Sequence, residues 1–378
     1  MKKIAYVINN VGFFVSHRLP LALEAINKGY DVYLITGLPG SKVIEEKAKE
    51  TISKLEIQHI EIPFTSRGMN PFVEIKALFM LIRKIRLINP DIIHAASPKG
   101  IFFAAISGIS SSAKRVILSV SGMGFLFTSS HRIIIRLIAA LFKYVMIFAI
   151  NIRATTIIVQ NKDDLSFWSN LVFSSKVKIT LVPGSGINLD DYDGMTYRDD
   201  SKTILFPSRI LIDKGVYEFV EAAKLVKLNY PDWRFILVGA SDYDNPSAVD
   251  EMIIDKWVAD GIVESLGHQD DMTDVYRNTS IVCLPSYREG MPKVLLEAAA
   301  AGIPVITTDV IGCRESIIPN VTGLLVPSHD AKQLASAIEK LINNLKMRKQ
   351  MGAEGSKFAK ERFSIEKILS SVFKLYDE

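Results

Sequence analysis

The sequence predicts an α/β protein with two doubly wound parallel sheets. Short apolar segments rich in β-branched residues alternate along the chain with longer segments of helical periodicity, which is typical of a parallel sheet covered by helices on both faces. The alternation stops once, in the polar and acidic segment 188–202, and then resumes. The length of 378 residues also exceeds what a single domain usually needs. We therefore expect one domain at 1–187, a linker at 188–202, a second domain at 203–360, and a C-terminal helix at 361–378 that returns to the first domain.

The first predicted domain begins with a strand, a helix and a strand. The apolar segment 3–8 is the first strand, 9–17 is a loop, a helical pattern runs from Arg18 to Lys28, and 31–37 is the second strand. A helix between two strands is a crossover connection, so the strands are expected to pair in parallel. The same pattern predicts further strands at 57–64, 90–97, 115–122, 154–160 and 178–186, and helices at 71–87, 99–108 and 131–150.

The second predicted domain repeats this alternation and is again expected to be a doubly wound sheet. Strands are predicted at 203–209, 234–241, 263–267, 280–286, 303–309 and 323–327, and helices at 216–229, 247–260, 292–302 and 330–344, with a helical tail from 348 to 378.

One segment of the second domain, CLPSYREGMPKVLLEAAAAGIPVI at 283–306, combines a strand, a loop and a helix. Pro292 is suited to the start of the helix and Gly302 to its end. Glu289 lies in the loop before the helix, and Glu297 lies inside it. A helix start offers free N–H groups and partial positive charge to phosphate, whereas carboxylates accept hydrogen bonds from hydroxyls. The segment therefore predicts a ligand that carries both phosphate and sugar.

Two cations lie at the end of another strand of the same domain. In SRILIDKG, residues 208–215, Arg209 follows the strand and Lys214 precedes Gly215 at a helix entrance. Ligands of open α/β sheets bind outside the carboxyl ends of the strands. Arg forks onto two phosphate oxygens and Lys supplies a point charge, so together they could neutralise a leaving diphosphate without a metal ion.

The cysteine content and the N-terminus indicate a cytoplasmic protein. Cys283 and Cys313 show neither a CxxC motif nor the spacing of a zinc site, so we expect reduced thiols. The apolar run before Asn9 is too short for a signal peptide.

Charge is divided unevenly between the two halves. Residues 1–195 carry 23 Lys and Arg against 14 Asp and Glu, whereas the remaining residues carry 22 against 27. A basic half is expected to face something anionic. Its cations are interleaved with Ile, Leu and Phe, which favours an anionic membrane surface, and no nucleic-acid-binding motif is present.

These motifs resemble glycosyltransferase family 4. Arg209 and Lys214 lie within SRILIDKG, and Glu289 and Glu297, spaced E-x7-E, lie within EGMPKVLLEAAAAGIPV, as the corresponding residues do in that family. The resemblance covers nearly the whole chain and is most specific in the second half. It implies the GT-B fold, in which two Rossmann-like doubly wound domains face each other, and it implies that the second domain binds a nucleotide sugar.

The resemblance also implies roles for individual residues. Arg209 and Lys214 would bind the diphosphate, Glu289 the hydroxyls of the donor sugar, and Glu297 those of the ribose, while backbone N–H groups at 291–295 would bind phosphate and sugar. The predicted catalytic residues are Glu289, Lys214 and Arg209, and the predicted donor-binding residues are Gly12, Gly290, Met291, Pro292, Lys293, Val294, Leu295, Glu297, Gly239 and His268.

The first domain would bind the acceptor. The loop at Gly12 follows the first strand, where the family keeps small residues, often a Gly-Gly pair, close to the donor phosphates. Ser121 occupies a position that is a histidine in many relatives, so that histidine's role is not transferred to this chain. The predicted acceptor-side residues are Phe13, His17, His94, Ser121, Gly122 and Gly124, although a single histidine is more often structural.

Segments such as VSGMGFLF at 120–127 resemble bacterial members that extend glycans carried on polyprenyl diphosphate, in capsule, O-antigen or N-glycan precursor synthesis. The helix at 131–150 supports a lipid-linked acceptor, because Arg132, Arg136 and Lys143 fall within about 40° of one another at 100° per residue, among apolar side chains. The segment 76–86 is a second basic and apolar stretch. Both could instead be ordinary domain helices. We expect peripheral contact with the cytoplasmic face of the inner membrane.

The family retains anomeric configuration, so we expect a retaining transferase that uses a UDP-sugar and requires neither a metal ion nor a cofactor. A nicotinamide-dependent dehydrogenase would need GxGxxG after its first strand, which NNVGFF lacks. A sugar-nucleotide epimerase of the same fold and a non-catalytic sugar-binding or membrane-binding protein are the alternatives.

Overall fold

The computed structural model describes residues 1–38, 42–64, 70–121, 133–153, 155–195, 201–241 and 245–378. These residues form two compact units. The first contains Met1–Ser185 together with Leu369–Glu378, and the second contains Gly186–Ile368. Each unit is built around one parallel sheet, which confirms the predicted fold class.

The described part of the first unit has a seven-stranded sheet. Its strands are β1 (Lys3–Ile8), β2 (Asp31–Thr36), β3 (Ile57–Glu61), β4 (Ile92–Ala96), β5 (Arg115–Val120), β6 (Thr155–Val159) and β7 (Val177–Leu181). They are all parallel, in the order β3-β2-β1-β4-β5-β6-β7. The strand order reverses between β1 and β4, where doubly wound sheets place their ligands. All five residues of β4 are buried, as expected for a strand covered on both faces.

Helices cover both faces of this sheet. They are α1 (Val11–His17), α2 (Leu19–Asn27), α3 (Lys42–Ser53), α4 (Pro71–Ile88), α5 (Pro98–Ile109), α6 (Ile133–Ile152) and α7 (Lys162–Ser169). The prediction of a loop at 9–17 is wrong for most of its length, because Val11–His17 is helical. The side chain of Asn10 accepts a hydrogen bond from the backbone N–H of Phe13 at 2.8 Å, and this cap starts a helix too short to show periodicity.

The second unit has a six-stranded parallel sheet. Its strands are β8 (Thr203–Pro207), β9 (Arg234–Val238), β10 (Glu264–Ser265), β11 (Ile281–Leu284), β12 (Val305–Thr308) and β13 (Gly323–Val326), in the order β10-β9-β8-β11-β12-β13. Because β8 and β11 are neighbours, the loops that follow them leave the same edge of the sheet side by side. The helices are α8 (Val216–Lys227), α9 (Glu251–Ala259), α10 (Thr273–Arg277), α11 (Lys293–Ala300), α12 (Ala331–Ile342) and α13 (Leu345–Arg362).

Helix α13 approaches the end of α11 very closely at Gly352. A Cβ atom added to Gly352 of α13 would lie 1.9 Å from the carbonyl oxygen of Gly302, which follows α11. One turn further along α13, a Cβ at Gly355 would make only ordinary contacts with Ala299, at 3.6 Å. The packing of these helices therefore requires glycine at 352 and only tolerates it at 355.

The segment predicted as a linker begins inside the second unit, which starts at Gly186. Leu189–Tyr192 forms a 3-10 turn, and Tyr192 is buried with its ring 6.2 Å from that of Tyr276. An aromatic residue within an otherwise acidic stretch thus fixes the segment to the second unit. Residues 196–200 lie outside the described part of the chain.

The C-terminal tail forms two helices, α13 and then α14 (Ile365–Asp377). Leu369–Glu378 belongs to the first unit, so most of α14 is part of that unit's core. Tyr376 and Phe373 are buried there, and the Phe373 ring lies 6.3 Å from that of Tyr30.

Candidate active site

An ion pair between Lys214 and Glu289 lies at the edge where β8 and β11 end. Lys214 Nζ lies 2.5 Å from Glu289 Oε1, and the two side chains are only 15% and 14% exposed. Lys214 closes the 3-10 turn Ile212–Lys214 after β8, and Glu289 lies in the loop after β11. Two residues separated by 75 positions are therefore brought together by the pairing of their strands. Opposite charges held with so little solvent interact more strongly than a surface pair does.

Backbone contacts fix the loop that carries Glu289. The N–H of Tyr287 donates to the carbonyl of Asp213 at 2.9 Å, and the hydroxyl of Ser286 donates to the same carbonyl at 3.1 Å. On the other side, the N–H of Glu289 donates to the carbonyl of Ile311 at 3.0 Å. The loop is thus joined both to the segment that carries Lys214 and to the segment after β12.

Two glycines allow these segments to approach each other. A Cβ at Gly215 would lie 2.0 Å from the carbonyl oxygen of Pro285, and one at Gly312 would lie 2.3 Å from that of Glu289. Both glycines also have positive φ angles, of 77° and 80°, which side chains disfavour. Any other residue at either position would push the Glu289 loop away.

Helix α11 begins next to this loop and contains Glu297. Pro292 is its N-cap and Lys293 its first residue, so the start predicted at Pro292 is confirmed to within one position. Glu297 is 12% exposed, accepts a hydrogen bond from the Tyr276 hydroxyl at 3.2 Å and lies 3.3 Å from Lys293 Nζ. Burial, with the negative charge of Glu297 next to it, raises the pKa of Tyr276 well above its ordinary value, so Tyr276 stays a hydrogen-bond donor.

The remaining predicted site residues of the second unit lie at the same edge of its sheet. Arg209 is exposed after β8, and His268 is exposed after β10 with its Nε2 3.4 Å from Asp270 Oδ1. Gly239 follows β9, and a Cβ there would lie 2.0 Å from the carbonyl oxygen of Ser208. Glycine at 239 is therefore explained by the approach of the Arg209 segment. The residues at the start of α11 are partly or fully buried: Met291, Pro292, Lys293, Val294 and Leu295.

Sequence reasoning missed Tyr276, Tyr287 and Glu218 in this region. Tyr287 lies inside the strand-loop-helix segment 283–306, but nothing in the sequence around it indicates that its hydroxyl bonds to Glu218, 69 positions away. Cys283 and Cys313 are buried, unpaired thiols. Burial and the negative charge of Glu289 raise the pKa of Cys313 to about 12, so it is an inert neighbour of the site.

In the first unit, the backbone of the predicted Gly12 loop already has a partner. The N–H groups of Val11 and Gly12 each donate to the buried carboxylate of Glu45 at 3.1 Å. In the same helix, Phe13 and His17 stack with ring centroids 4.5 Å apart, and both are half-buried. A carboxylate of this chain thus occupies the helix start at which the resemblance places a donor phosphate.

The predicted acceptor-side residue His94 lies inside the core of the first unit. It is 1% exposed, and its ring nitrogens lie 2.6 Å from the Tyr376 hydroxyl and 2.7 Å from the Ser119 hydroxyl. Burial, together with the positive charge of Arg18, lowers the pKa of His94 well below its ordinary value. These contacts give His94 a structural role, the alternative that the sequence left open.

Several predicted residues fall where the structure gives no description. Gly122, Gly124 and Arg132 lie outside the described residues, and of Arg136 only the helical backbone is described. Ser121 is half-buried after β5, and Lys143 is half-buried in α6. Within the described residues, no cluster of three or more His, Cys, Asp and Glu side chains is arranged to bind a metal ion.

Two family matches cover most of the chain. Residues 3–161 match the family described as glycosyl transferase 4-like, and residues 195–358 match glycosyl transferases group 1. The chain belongs to glycosyltransferase family 4. Its two parallel-sheet units are those of the GT-B fold, so the predicted family and fold are confirmed.

Relatives of this glycosyltransferase act on lipid-linked sugars. It is 26% identical to the N,N'-diacetylbacillosaminyl-diphospho-undecaprenol alpha-1,3-N-acetylgalactosaminyltransferase of Campylobacter jejuni, over 98% of this chain and 97% of that one. It is 24% identical to the UDP-Gal:alpha-D-GlcNAc-diphosphoundecaprenol alpha-1,3-galactosyltransferase of Escherichia coli, over 75% and 74%. The crystal structure of HepE from Anabaena with UDP-glucose has the same fold, with a TM-score of 0.75 and 16% identity over 99% of each chain.

Proposed function

We propose that this glycosyltransferase moves a hexose or N-acetylhexosamine from a UDP-sugar to a sugar carried on polyprenyl diphosphate, with retention of anomeric configuration. The observation that carries the proposal is the nearly buried pair of Lys214 and Glu289 beside the start of α11. At this point of the second unit a cation, a carboxylate and the N–H groups of a helix start lie next to one another. A diphosphate binds to the cation and the N–H groups, and sugar hydroxyls bind to the carboxylate.

In this reaction the glycosidic bond between the donor sugar and the diphosphate breaks, and a bond from an acceptor hydroxyl to the same carbon forms. Lys214 and Arg209 neutralise the negative charge that develops on the leaving diphosphate. The acceptor hydroxyl gives its proton to a leaving phosphate oxygen on the same face of the sugar. Glu289 accepts hydrogen bonds from donor-sugar hydroxyls, and Glu297 accepts them from the ribose, as its position one and a half turns into α11 allows.

No metal ion is assigned to this mechanism, because Lys214 and Arg209 supply the positive charge. Activity is therefore expected to persist in excess EDTA. Loss of activity on chelation, with recovery on adding Mg²⁺ or Mn²⁺, would overturn this part of the proposal.

The acceptor assignment draws support from the names of the relatives, which specify sugars on diphospho-undecaprenol and alpha-1,3 linkages. The direct test supplies UDP-hexoses and UDP-N-acetylhexosamines with short-chain polyprenyl-diphosphate sugars, and analyses the linkage of the product by NMR. An α-linked product from an α-linked donor is expected. Release of free sugar or an isomerised UDP-sugar without acceptor would favour the epimerase alternative.

Contact with an anionic membrane is part of the proposal, and helix α4 supports it. Its exposed side chains include Phe72, Phe79 and Leu87, which are 82%, 68% and 69% exposed. The cations Lys76, Arg83 and Arg86 are exposed on the same helix, and at 100° per residue all six fall within an arc of about 100°. An apolar stripe with cations is suited to the interface of a bilayer with anionic lipid.

Helix α6 adds a second apolar surface in the same unit. Leu141, Tyr144 and Phe148 are 63%, 69% and 62% exposed. Among the described residues, no helix combines the length and apolar character that crossing a bilayer needs. The exposed apolar side chains of α4 and α6 are the reason for assigning both helices to contact with the membrane surface.

A further inference from the structure

A hydrogen bond between Tyr287 and Glu218 joins the two segments that carry the ion pair. The Tyr287 hydroxyl lies 2.8 Å and 2.9 Å from the two carboxylate oxygens of Glu218. Tyr287 lies two residues before Glu289, and Glu218 lies in the first turn of α8, four residues after Lys214. The contact therefore links the two loops through side chains, in addition to the backbone contact at Asp213.

The side chains of this contact are held by a third segment. The His329 ring, after β13, lies against the Tyr287 ring with centroids 3.7 Å apart, and its Nδ1 lies 3.7 Å from Glu218 Oε1. His329 has a φ of 61°, in the left-handed region that few residues other than glycine adopt. The side chain of Glu218 is only 14% exposed. Burial and the hydrogen bond to Glu218 raise the pKa of Tyr287, so the hydroxyl remains a donor at neutral pH.

This contact remains available when the ion pair changes partners. In the proposed reaction, Lys214 binds the diphosphate and Glu289 binds the sugar. Their attraction to each other then no longer holds the two loops together. Neither Tyr287 nor Glu218 has to leave the other for this to happen. A charged acceptor makes such a hydrogen bond stronger than a neutral one.

We propose that Tyr287 and Glu218 are positioning residues, which keep Lys214 and Glu289 at their working separation while donor is bound. The proposal rests on the proposed function, since it assigns the residues to the same donor site. They act through the loops and are not placed in contact with substrate.

The test compares Tyr287→Phe with Tyr230→Phe in the purified full chain. Tyr230 is a matched control, because its hydroxyl also bonds a polar side chain of the same unit, Asn343, at 2.6 Å and away from the site. Tyr287→Phe is expected to lower kcat about tenfold, the equivalent of one hydrogen bond to a charged acceptor, with KM for the UDP-sugar nearly unchanged. Tyr230→Phe is expected to leave both constants unchanged.

Variants of Glu218 separate positioning from simple folding. Glu218→Gln keeps an oxygen that accepts from Tyr287 and is expected to retain most of the activity, whereas Glu218→Ala is expected to match Tyr287→Phe. The double variant Tyr287→Phe/Glu218→Ala should lose no more than either single variant, because both remove the same contact.

Two results would overturn the inference: kcat of Tyr287→Phe equal to that of Tyr230→Phe, or Glu218→Gln as impaired as Glu218→Ala. If the wild-type enzyme transfers no sugar from any UDP-sugar, the proposed function itself fails. An active wild type with an unaffected Tyr287→Phe variant would leave the function standing and remove only the positioning role.

Discussion

At the scale of single residues, the ion pair gives Lys214 and Glu289 a structural role, and the proposed function gives them a catalytic one as well. Each neutralises the other in a site with little solvent, so removal of one leaves an uncompensated charge. The same residues are assigned to the diphosphate and the donor sugar. These two roles respond differently when both residues are removed, which makes them separable.

Lys214→Ala and Glu289→Ala are each expected to lower turnover by about 10²-fold to 10³-fold, as the loss of a charge-stabilising group does. Each should also lower the free energy of unfolding, by up to about 3 kcal/mol for a buried partner left unpaired. The double variant is expected to regain part of that stability and none of the activity. Turnover and denaturant unfolding of the three variants provide the measurement, and near-native activity of either single variant would remove the catalytic assignment.

At the scale of helices and strands, the sequence predicts the elements in which a periodic apolar pattern extends over many residues. It misses the elements that depend on a single contact. The strand, loop and helix at 283–306 are predicted correctly because their boundaries carry Pro292 and Gly302. Helix α1 is missed because its start depends on the cap at Asn10. The contact between Tyr287 and Glu218 could not be predicted from the sequence, since only the pairing of β8 with β11 brings the two residues together.

The protein is expected to bind vesicles that contain anionic lipid, and to do so through the exposed surface of α4. The triple variant Lys76→Gln/Arg83→Gln/Arg86→Gln should bind phosphatidylglycerol vesicles roughly a hundredfold more weakly, at about 1 kcal/mol per cation. The matched control removes three exposed lysines from α13 in the second unit: Lys346, Lys349 and Lys357. Co-sedimentation with vesicles measures both, and equal losses in the two variants would mean that net charge alone, without the α4 surface, drives binding.

The close packing of α11 and α13 predicts opposite effects for two neighbouring glycines. Gly352→Ala should lower the free energy of unfolding by about 1–3 kcal/mol, because its Cβ would overlap the carbonyl of Gly302. Gly355→Ala has room for its Cβ and should stabilise α13 by up to about 1 kcal/mol. Denaturant titration of both variants tests this, and a Gly352→Ala variant as stable as the wild type would show that the helices can separate without cost.

At the scale of the whole molecule, stability is expected to depend on pH through His94. Its pKa is lowered in the folded state, in a buried setting shared with Tyr6, Tyr376, Ser119 and Arg18. The unfolded chain therefore binds a proton near pH 6.5 that the folded chain does not, so stability falls as the pH drops below 6.5. The slope from this group approaches about 1.4 kcal/mol per pH unit.

His94→Gln should reduce that slope by up to about 1.4 kcal/mol per pH unit. His268→Gln makes the same replacement at an exposed position and serves as the control. Unfolding free energies measured at a series of pH values from 7 downward compare the variants, and the carboxylates contribute equally to all of them. The same acid dependence in His94→Gln as in the wild type would contradict this explanation.

The division of α14 between the units has a consequence for synthesis of the chain. The first unit consists of Met1–Ser185 and Leu369–Glu378, with the whole of the second unit between them in the sequence. During translation, Tyr6, Tyr30 and His94 are made early, but their partners Phe373 and Tyr376 emerge only after residue 368. The first unit therefore cannot complete its core before the second unit has been made, although domains usually fold in the order of their synthesis. A released chain truncated after residue 368 should therefore hold a completed second unit and a first unit that still exposes apolar surface to chaperones.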